Sequence, residues 1–214
     1  TELKNNIGTV GLIGVGTMGK CMLDRLIANG FGVAAYDPFP AAQDYAKEKG
    51  AKVVANPAEV AKEARLIIMS LPAPKHVFDV ISGENGLIDE LTDGHVVVDT
   101  STVSPETSKK GAEIVAAKGA DYVDAPILGR PSAVGNWLLP SGGTEKAIEF
   151  AKPALLTFAK NVVRVGDTGS GNAVKLLNQL MFSVINCIST EVMALTEKVG
   201  IDKKVFYDVV ANSG

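Results

Sequence analysis

Cysteine, histidine and clustered positive charge are what this sequence has least of. The two cysteines, Cys21 and Cys187, lie far apart in apolar stretches of helical character, and the two histidines, His76 and His95, share no ligand spacing with them. This favours two buried thiols in a reducing compartment over a disulfide or metal site, and does not support a zinc site. Lys and Arg total 21 against 24 Asp and Glu, with a formal net charge of -3 and no extended basic run. A nucleic-acid or anionic-membrane surface needs clustered positive charge, so neither partner is expected. The uncharged run 176–190 is too short to span a bilayer and is interrupted by Asn178, Gln179, Ser183 and Asn186. The opening residues TELKNNIGTVGLIG lack the parts of a secretory signal. The expectation is a soluble, cytoplasmic protein that handles a small molecule.

What the chain does have is apolar content, 46% of it, and 22 glycines spread along its length, enough for a substantial core broken by ordered turns. Strands are expected at 7–13, 33–36, 66–70, 96–99 and 121–124, with a later one ending in 162–165. Helices are expected to begin near Met18, Ala41, Pro57, Pro105 and Thr144. Such alternation predicts βαβ units, an α/β fold with a doubly wound, mostly parallel sheet of Rossmann type over residues 1–165. After Gly166 the character changes. Gly169-Ser170-Gly171 can open a helix, and no breaker follows until Gly200. Leu177, Met181, Val184 and Ile188 keep helical spacing there, while Leu176, Leu180 and Ile185 add apolar surface on other faces. A helix apolar nearly all round has to be surrounded by protein, and only one further helix, about 203–211, remains to cover it. Residues 166–214 therefore read as the start of an all-α domain. It is truncated at Asn212-Ser213-Gly214 or completed by a second subunit, and a homo-oligomer through this domain is expected.

The first strand runs into Gly14-Val15-Gly16-Thr17-Met18-Gly19, and a helix follows. In this pattern the first glycine permits a tight turn, the second lets backbone approach a pyrophosphate, and the third lets helix and strand pack closely. The N–H groups at the helix start then face the phosphates. The second strand ends in Ala34-Ala35-Tyr36-Asp37. A carboxylate there can bind the adenosine ribose hydroxyls and repels a 2′-phosphate; the plainer role is a cap or turn, since Pro38 follows. With no arginine beside it, NAD is preferred to NADP.

Further motifs follow in order: GLIGVGTMG at 11–19, Leu71-Pro72 after a strand, DTSTVSP at 99–105, DAP at 124–126 and GDTGSGNAVKLLNQ at 166–179. With these the chain resembles the β-hydroxyacid dehydrogenase family, which includes 3-hydroxyisobutyrate dehydrogenase, tartronate semialdehyde reductase and 6-phosphogluconate dehydrogenase. The resemblance implies an NAD-dependent oxidoreductase interconverting a small β-hydroxyacid and its semialdehyde or keto form. Lys175 is then the general acid/base, exchanging a proton with the substrate oxygen while hydride passes to or from the nicotinamide. Asn178 and Gln179, at i+3 and i+4, orient substrate or lysine from the same helical face. Leu71 and Pro72 become a cofactor-lining turn, His76 a nicotinamide-side contact, and Thr102 a cofactor or substrate contact. The residues alone also allow plainer roles. Lys175 can be a surface lysine and His76 a cap on a surface helix. Thr102 can belong to a helix-start turn in which Ser104 is the N-cap and Pro105 the first helical residue.

Two departures from the family pattern bear on the substrate. The family's DAPVSGG holds a substrate carboxylate through its serine and glycines, whereas here Asp124-Ala125-Pro126 continues as Ile127-Leu128-Gly129-Arg130 and the segment to Gly135 looks shortened. Leu128 has no side-chain donor, although the Gly129 N–H can still bind a carboxylate. Arg130 can pair bidentately with a carboxylated substrate, or instead salt-bridge Asp124 or face solvent. Gln179 stands where the family commonly has a second asparagine. These changes keep two alternatives open: an imine or ketone reductase on the same scaffold, and a non-catalytic dinucleotide-binding module.

Overall fold

In the computed structural model residues 7–213 are described; residues 1–6, read above for a secretory signal, and Gly214 at the terminal stop lie outside them. Among the described residues the strands are β1 (Thr9–Ile13), β2 (Gly32–Tyr36), β3 (Lys52–Val53), β4 (Leu66–Met69), β5 (Val96–Asp99), β6 (Asp121–Asp124), β7 (Trp137–Gly142) and β8 (Ala159–Gly166). The helices are α1 (Thr17–Ala28), α2 (Pro40–Glu48), α3 (Pro57–Glu63), α4 (Pro74–Ser82), α5 (Pro105–Ala116), α6 (Glu145–Leu155), α7 (Ser170–Lys198) and α8 (Lys203–Ala211). The strands form one sheet in the order β3-β2-β1-β4-β5-β6-β7-β8. Every neighbouring pair is parallel except β6 and β7. This is the Rossmann-type, mostly parallel sheet expected, followed by a helical segment.

Central strands covered on both faces read as continuous apolar runs, yet the pleat still divides their side chains. Val10, Leu12, Leu66 and Ile68 enter one core with Met22, Leu26, Ala46 and Ile148 from α1, α2 and α6. Ile13, Ile67, Met69 and Val97 enter the other with Val60, Val77, Ile81 and Val115 from α3, α4 and α5. Proline opens α2, α3, α4 and α5, where its missing N–H has no helical partner to lose. Ser104 caps α5 by accepting from the Thr107 N–H, and Pro105 is its first residue, as read from the sequence.

Three elements escaped the sequence pattern. β3 is a two-residue edge strand, and short edges resist unwanted pairing. In α4 the apolar set Val77, Val80 and Ile81 has helical spacing, but Pro72 and Pro74 mask it as loop. β7 contains Pro140, which argues against a central strand. It is accommodated because β7 meets its antiparallel side only at Asp124↔Gly142 and Leu128↔Leu138. Midway in that register Pro126 and Pro140 oppose each other, so neither owes the other an N–H.

The chain divides into two compact units, Thr1–Lys175 and Leu176–Gly214. The first therefore includes, besides β8, the opening turns of α7, which the sequence pattern grouped with the helical part. In the second unit Leu177, Leu180, Met181, Val184 and Ile188 are exposed, and so is Cys187; with Cys21 half-buried, the two thiols are not the buried pair that their apolar neighbours suggested. The run 176–190, too short by itself to span a bilayer, lies inside the 29-residue α7, which by length and composition alone is long and apolar enough to cross a membrane.

Candidate active site

The strand order turns back at β1, with β2 on one side and β4 on the other. The crevice beyond the carboxyl ends of such strands is where an open α/β sheet binds ligands. A cavity of about 750 Å³ opens there. Gly14, Gly16, Thr17 and Met18 form one wall, Asp37 and Phe39 another, and Leu71, Pro72 and His76 a third. The three glycines of the motif differ in what a side chain would meet. At Gly14, φ is +91° and a Cβ would strike the Ser70 carbonyl; at Gly19 it would strike the Gly14 carbonyl. At Gly16 there is open space within 4 Å, so a side chain would fill part of the cavity itself. Gly16 is also the N-cap of α1, with no side-chain cap bond, so the first N–H groups of α1 are open to a ligand. This cradle fits a pyrophosphate.

Val15 is buried and does not line the cavity. Its N–H donates to Asp37 Oδ2 at 2.7 Å, while the Phe39 N–H donates to Oδ1 at 2.9 Å. Two backbone donors thus hold the Asp37 carboxylate in place against the glycine loop. Asp79 and Glu84 line the same cavity, and among the described residues no lysine or arginine does.

A second cavity of about 300 Å³ shares Met18, Ser70, Leu71 and Pro72 with the first and adds Thr102, Ile127, Gly129 and Lys175. The half-buried Lys175 donates from Nζ to the Ile127 carbonyl at 2.7 Å. Burial pushes its amine below the ordinary 10.5 by disfavouring the charged form. The shared turn is fixed by the Leu71 N–H, which donates to Ser101 Oγ at 2.9 Å. Gly129 lies against Trp137, whose ring a Cβ would strike. The Leu128 N–H is already donated to the Leu138 carbonyl at 2.9 Å, and of the loop residues that line the cavity Ile127 and Gly129 carry the remaining N–H groups. Arg130 is exposed, lines neither cavity and makes no ion pair with Asp124 among the described residues. Its carbonyl accepts from Trp137 Nε1 at 2.7 Å. Asn178 and Gln179 lie on the next turn of α7, in the second unit.

Sequence reasoning passed over the polar groups beneath this cavity. Asp124 is fully buried and accepts the Gly169 N–H on Oδ1 and the Asn172 N–H on Oδ2, both at 2.7 Å. Burial pushes its carboxyl up to about 6, against the lowering pull of those N–H groups. The Asn172 side chain, also fully buried, accepts from the Val103 N–H at 3.1 Å and donates to Ser108 Oγ at 3.0 Å. Asp99 accepts from the Ser101 N–H and the Tyr122 hydroxyl, at 2.9 and 2.7 Å. The glycines at 142, 169 and 171 were the available signal, because two of them leave no room for a Cβ beside Asp124.

Residues 9–166 match the NAD binding domain of 6-phosphogluconate dehydrogenase, and residues 169–214 the NAD-binding domain of NADP-dependent 3-hydroxyisobutyrate dehydrogenase. The chain belongs to the β-hydroxyacid dehydrogenase family. Among relatives in this family, a probable mitochondrial 3-hydroxyisobutyrate dehydrogenase of Dictyostelium discoideum is 36% identical over 198 residues, 92% of this chain and 62% of that protein. The mitochondrial 3-hydroxyisobutyrate dehydrogenase of Mus musculus is 34% identical over 203 residues, 94% of this chain and 61% of that protein. The chain thus spans about three fifths of the length of these β-hydroxyacid dehydrogenases. A solved structure of Mycobacterium tuberculosis 3-hydroxyisobutyrate dehydrogenase with L-serine superposes with a TM-score of 0.91 at 25% identity, covering 97% of this chain and 71% of that one. Residues 9–166 are an NAD(P)-binding domain.

Proposed function

We propose that this chain is the coenzyme-binding part of an NAD-dependent oxidoreductase that interconverts a small β-hydroxyacid and its semialdehyde or keto form. The observation that carries the reading is the shared wall. Met18, Ser70, Leu71 and Pro72 line both cavities, and the smaller one holds Lys175. A dinucleotide with its pyrophosphate on α1 and its ribose at Asp37 directs its nicotinamide toward that wall. When bound, the nicotinamide supplies or accepts the hydride. Lys175 holds the proton: as ammonium it donates to a carbonyl oxygen, and as neutral amine it takes the proton of a hydroxyl. Thr102 and the Gly129 N–H are neutral donors for a substrate carboxylate. Arg130, outside both cavities, is given no part in this scheme.

Preference for NAD rests on Asp37, Asp79 and Glu84. A 2′-phosphate at the ribose end would face carboxylates with no lysine or arginine in the cavity wall. The exposed apolar residues of α7 support oligomer formation through the helical segment.

One feature of the sequence favours a second reading, an imine or ketone reductase: Leu128 stands where the family pattern has a serine for the substrate carboxylate, and it has no side-chain donor. The test is NADH and NADPH oxidation by the full-length protein with small carboxylated aldehydes and with uncharged cyclic imines. Turnover of the aldehydes with NADH is expected. Turnover of imines alone moves the assignment to the second reading, and saturable NADH binding without any turnover moves it to a binding module.

A further inference from the structure

Three segments meet at the Lys175 cavity: the β5–α5 loop with Thr102, the β6–β7 loop with Ile127 and Gly129, and the start of α7 with Lys175 itself. Their positions are tied together one layer below. Asp124, which ends β6 just before the Ile127 loop, accepts the N–H groups of Gly169 and Asn172 at the start of α7. Asn172, nearly one turn before Lys175, accepts the N–H of Val103, the neighbour of Thr102, and donates to Ser108 on α5. The glycines make the approach possible. A Cβ at Gly142 would strike the Asp124 carboxylate, one at Gly171 would lie 2.5 Å from the Asp124 carbonyl oxygen, and Gly169 takes φ +96°. A helix cap needs only the carboxylate. A buried Asn172 amide bonded to two further segments goes beyond capping.

We propose that Asp124 and Asn172 are positioning residues for Lys175, locking the first turn of α7 to both loops of the small cavity and so setting where the amine stands between Ile127 and Thr102. The inference rests on the acid/base role given to Lys175, but its main readout does not need turnover.

In Asn172→Ala both side-chain bonds are lost while the Asp124 cap remains, so the helix start persists. NADH affinity, set in the other cavity, checks the fold and is expected to stay within about twofold. Lys175 is then followed by pulsed acetylation with acetic anhydride across pH. The Lys175 peptide is read by mass spectrometry against the exposed Lys146. Lys175 is the only charged group lining its cavity among the described residues. The expected result is a rise of about half a pH unit or more in the Lys175 midpoint, as the amine leaves the Ile127 carbonyl and gains water, with Lys146 unchanged. In the full-length enzyme kcat falls about 10- to 100-fold, and that loss disappears in a Lys175→Ala background because Asn172 acts through the lysine.

A folded Asn172→Ala protein with an unchanged Lys175 midpoint overturns the proposal, as does an equal loss of turnover in the Lys175→Ala background. If Asn172→Ala no longer binds NADH, Ser108→Ala, which keeps the Val103 bond, carries the same test with the same expected direction and the same overturning result. A protein without turnover on any substrate tried would sink the oxidoreductase reading and still leave the acetylation midpoint to decide the positioning role.

Discussion

Gly16 caps α1 and Gly19 lies in its first turn, and a methyl group would act differently at each. At Gly16 it enters the cavity, so Gly16→Ala is expected to keep the melting temperature while raising the NADH dissociation constant about tenfold or more, because the phosphate cradle is filled. At Gly19 it meets the Gly14 carbonyl, so Gly19→Ala is expected to lose about 1–3 kcal/mol in denaturant unfolding, as overpacked sites do. Asp37 is legible in sequence as a ribose carboxylate, and the structure adds that it also anchors Val15. Asp37→Asn keeps an acceptor for that N–H and removes the charge. The preference for NADH over NADPH in kcat/KM should narrow by about an order of magnitude; an unchanged ratio would mean that selectivity lies elsewhere.

Lys175 gives the pH dependence its sign. Burial lowers its pKa below 10.5. Hydroxyl oxidation needs the neutral amine, so kcat should rise with pH through a midpoint below that value. Carbonyl reduction needs the ammonium and should fall through the same midpoint. In the same window the folded state binds fewer protons than the unfolded chain, so Lys175 favours folding more as pH rises. Lys175→Met should remove both limbs, which pH–rate profiles in the two directions will show.

At the scale of elements, β7 shows why some of the architecture could not be read in advance. Its apolar residues do not alternate and Pro140 interrupts them; the strand forms by pairing in parallel with β8 from Trp137 to Gly142, and Pro140 is tolerated on the sparsely paired side where Pro126 faces it. Pro140→Ala adds an N–H that faces another proline, so unfolding free energy should change by less than about 1 kcal/mol in denaturant titrations, unlike a substitution inside a bonded rung. The start of α7 shows the opposite case. Gly169-Ser170-Gly171 is readable as a helix opening, but not that its glycines make way for a buried carboxylate arriving from β6. Sequence shows that a glycine is present and does not show what would collide with a side chain there. Likewise Arg130 beside Gly129 looked available to a substrate anion, and only the path of the loop against Trp137 places it at the surface.

For the whole molecule, the apolar surface of α7 is the open feature. Leu177 and Leu180 are 66% and 62% exposed, and a run of exposed apolar side chains of this kind marks an interaction surface. If the helical segment assembles subunits as proposed, Leu180→Glu in the full-length protein should lower the sedimentation coefficient toward that of a monomer while leaving the NADH dissociation constant unchanged. An unaltered assembly would place the interface elsewhere.

Local chemistry determined much of this protein from sequence alone. The strand–glycine–helix start, the acidic end of the second strand, and the proline-led helices follow from backbone geometry and capping within a few residues of each other. Tertiary structure decided which polar residues are buried, that Asp124 and Asn172 join three segments under Lys175, and that the two cavities share a wall. Those facts depend on groups far apart in the chain, such as Asp124 and Asn172 or Val103 and Asn172, whose approach is set by strand order and helix packing.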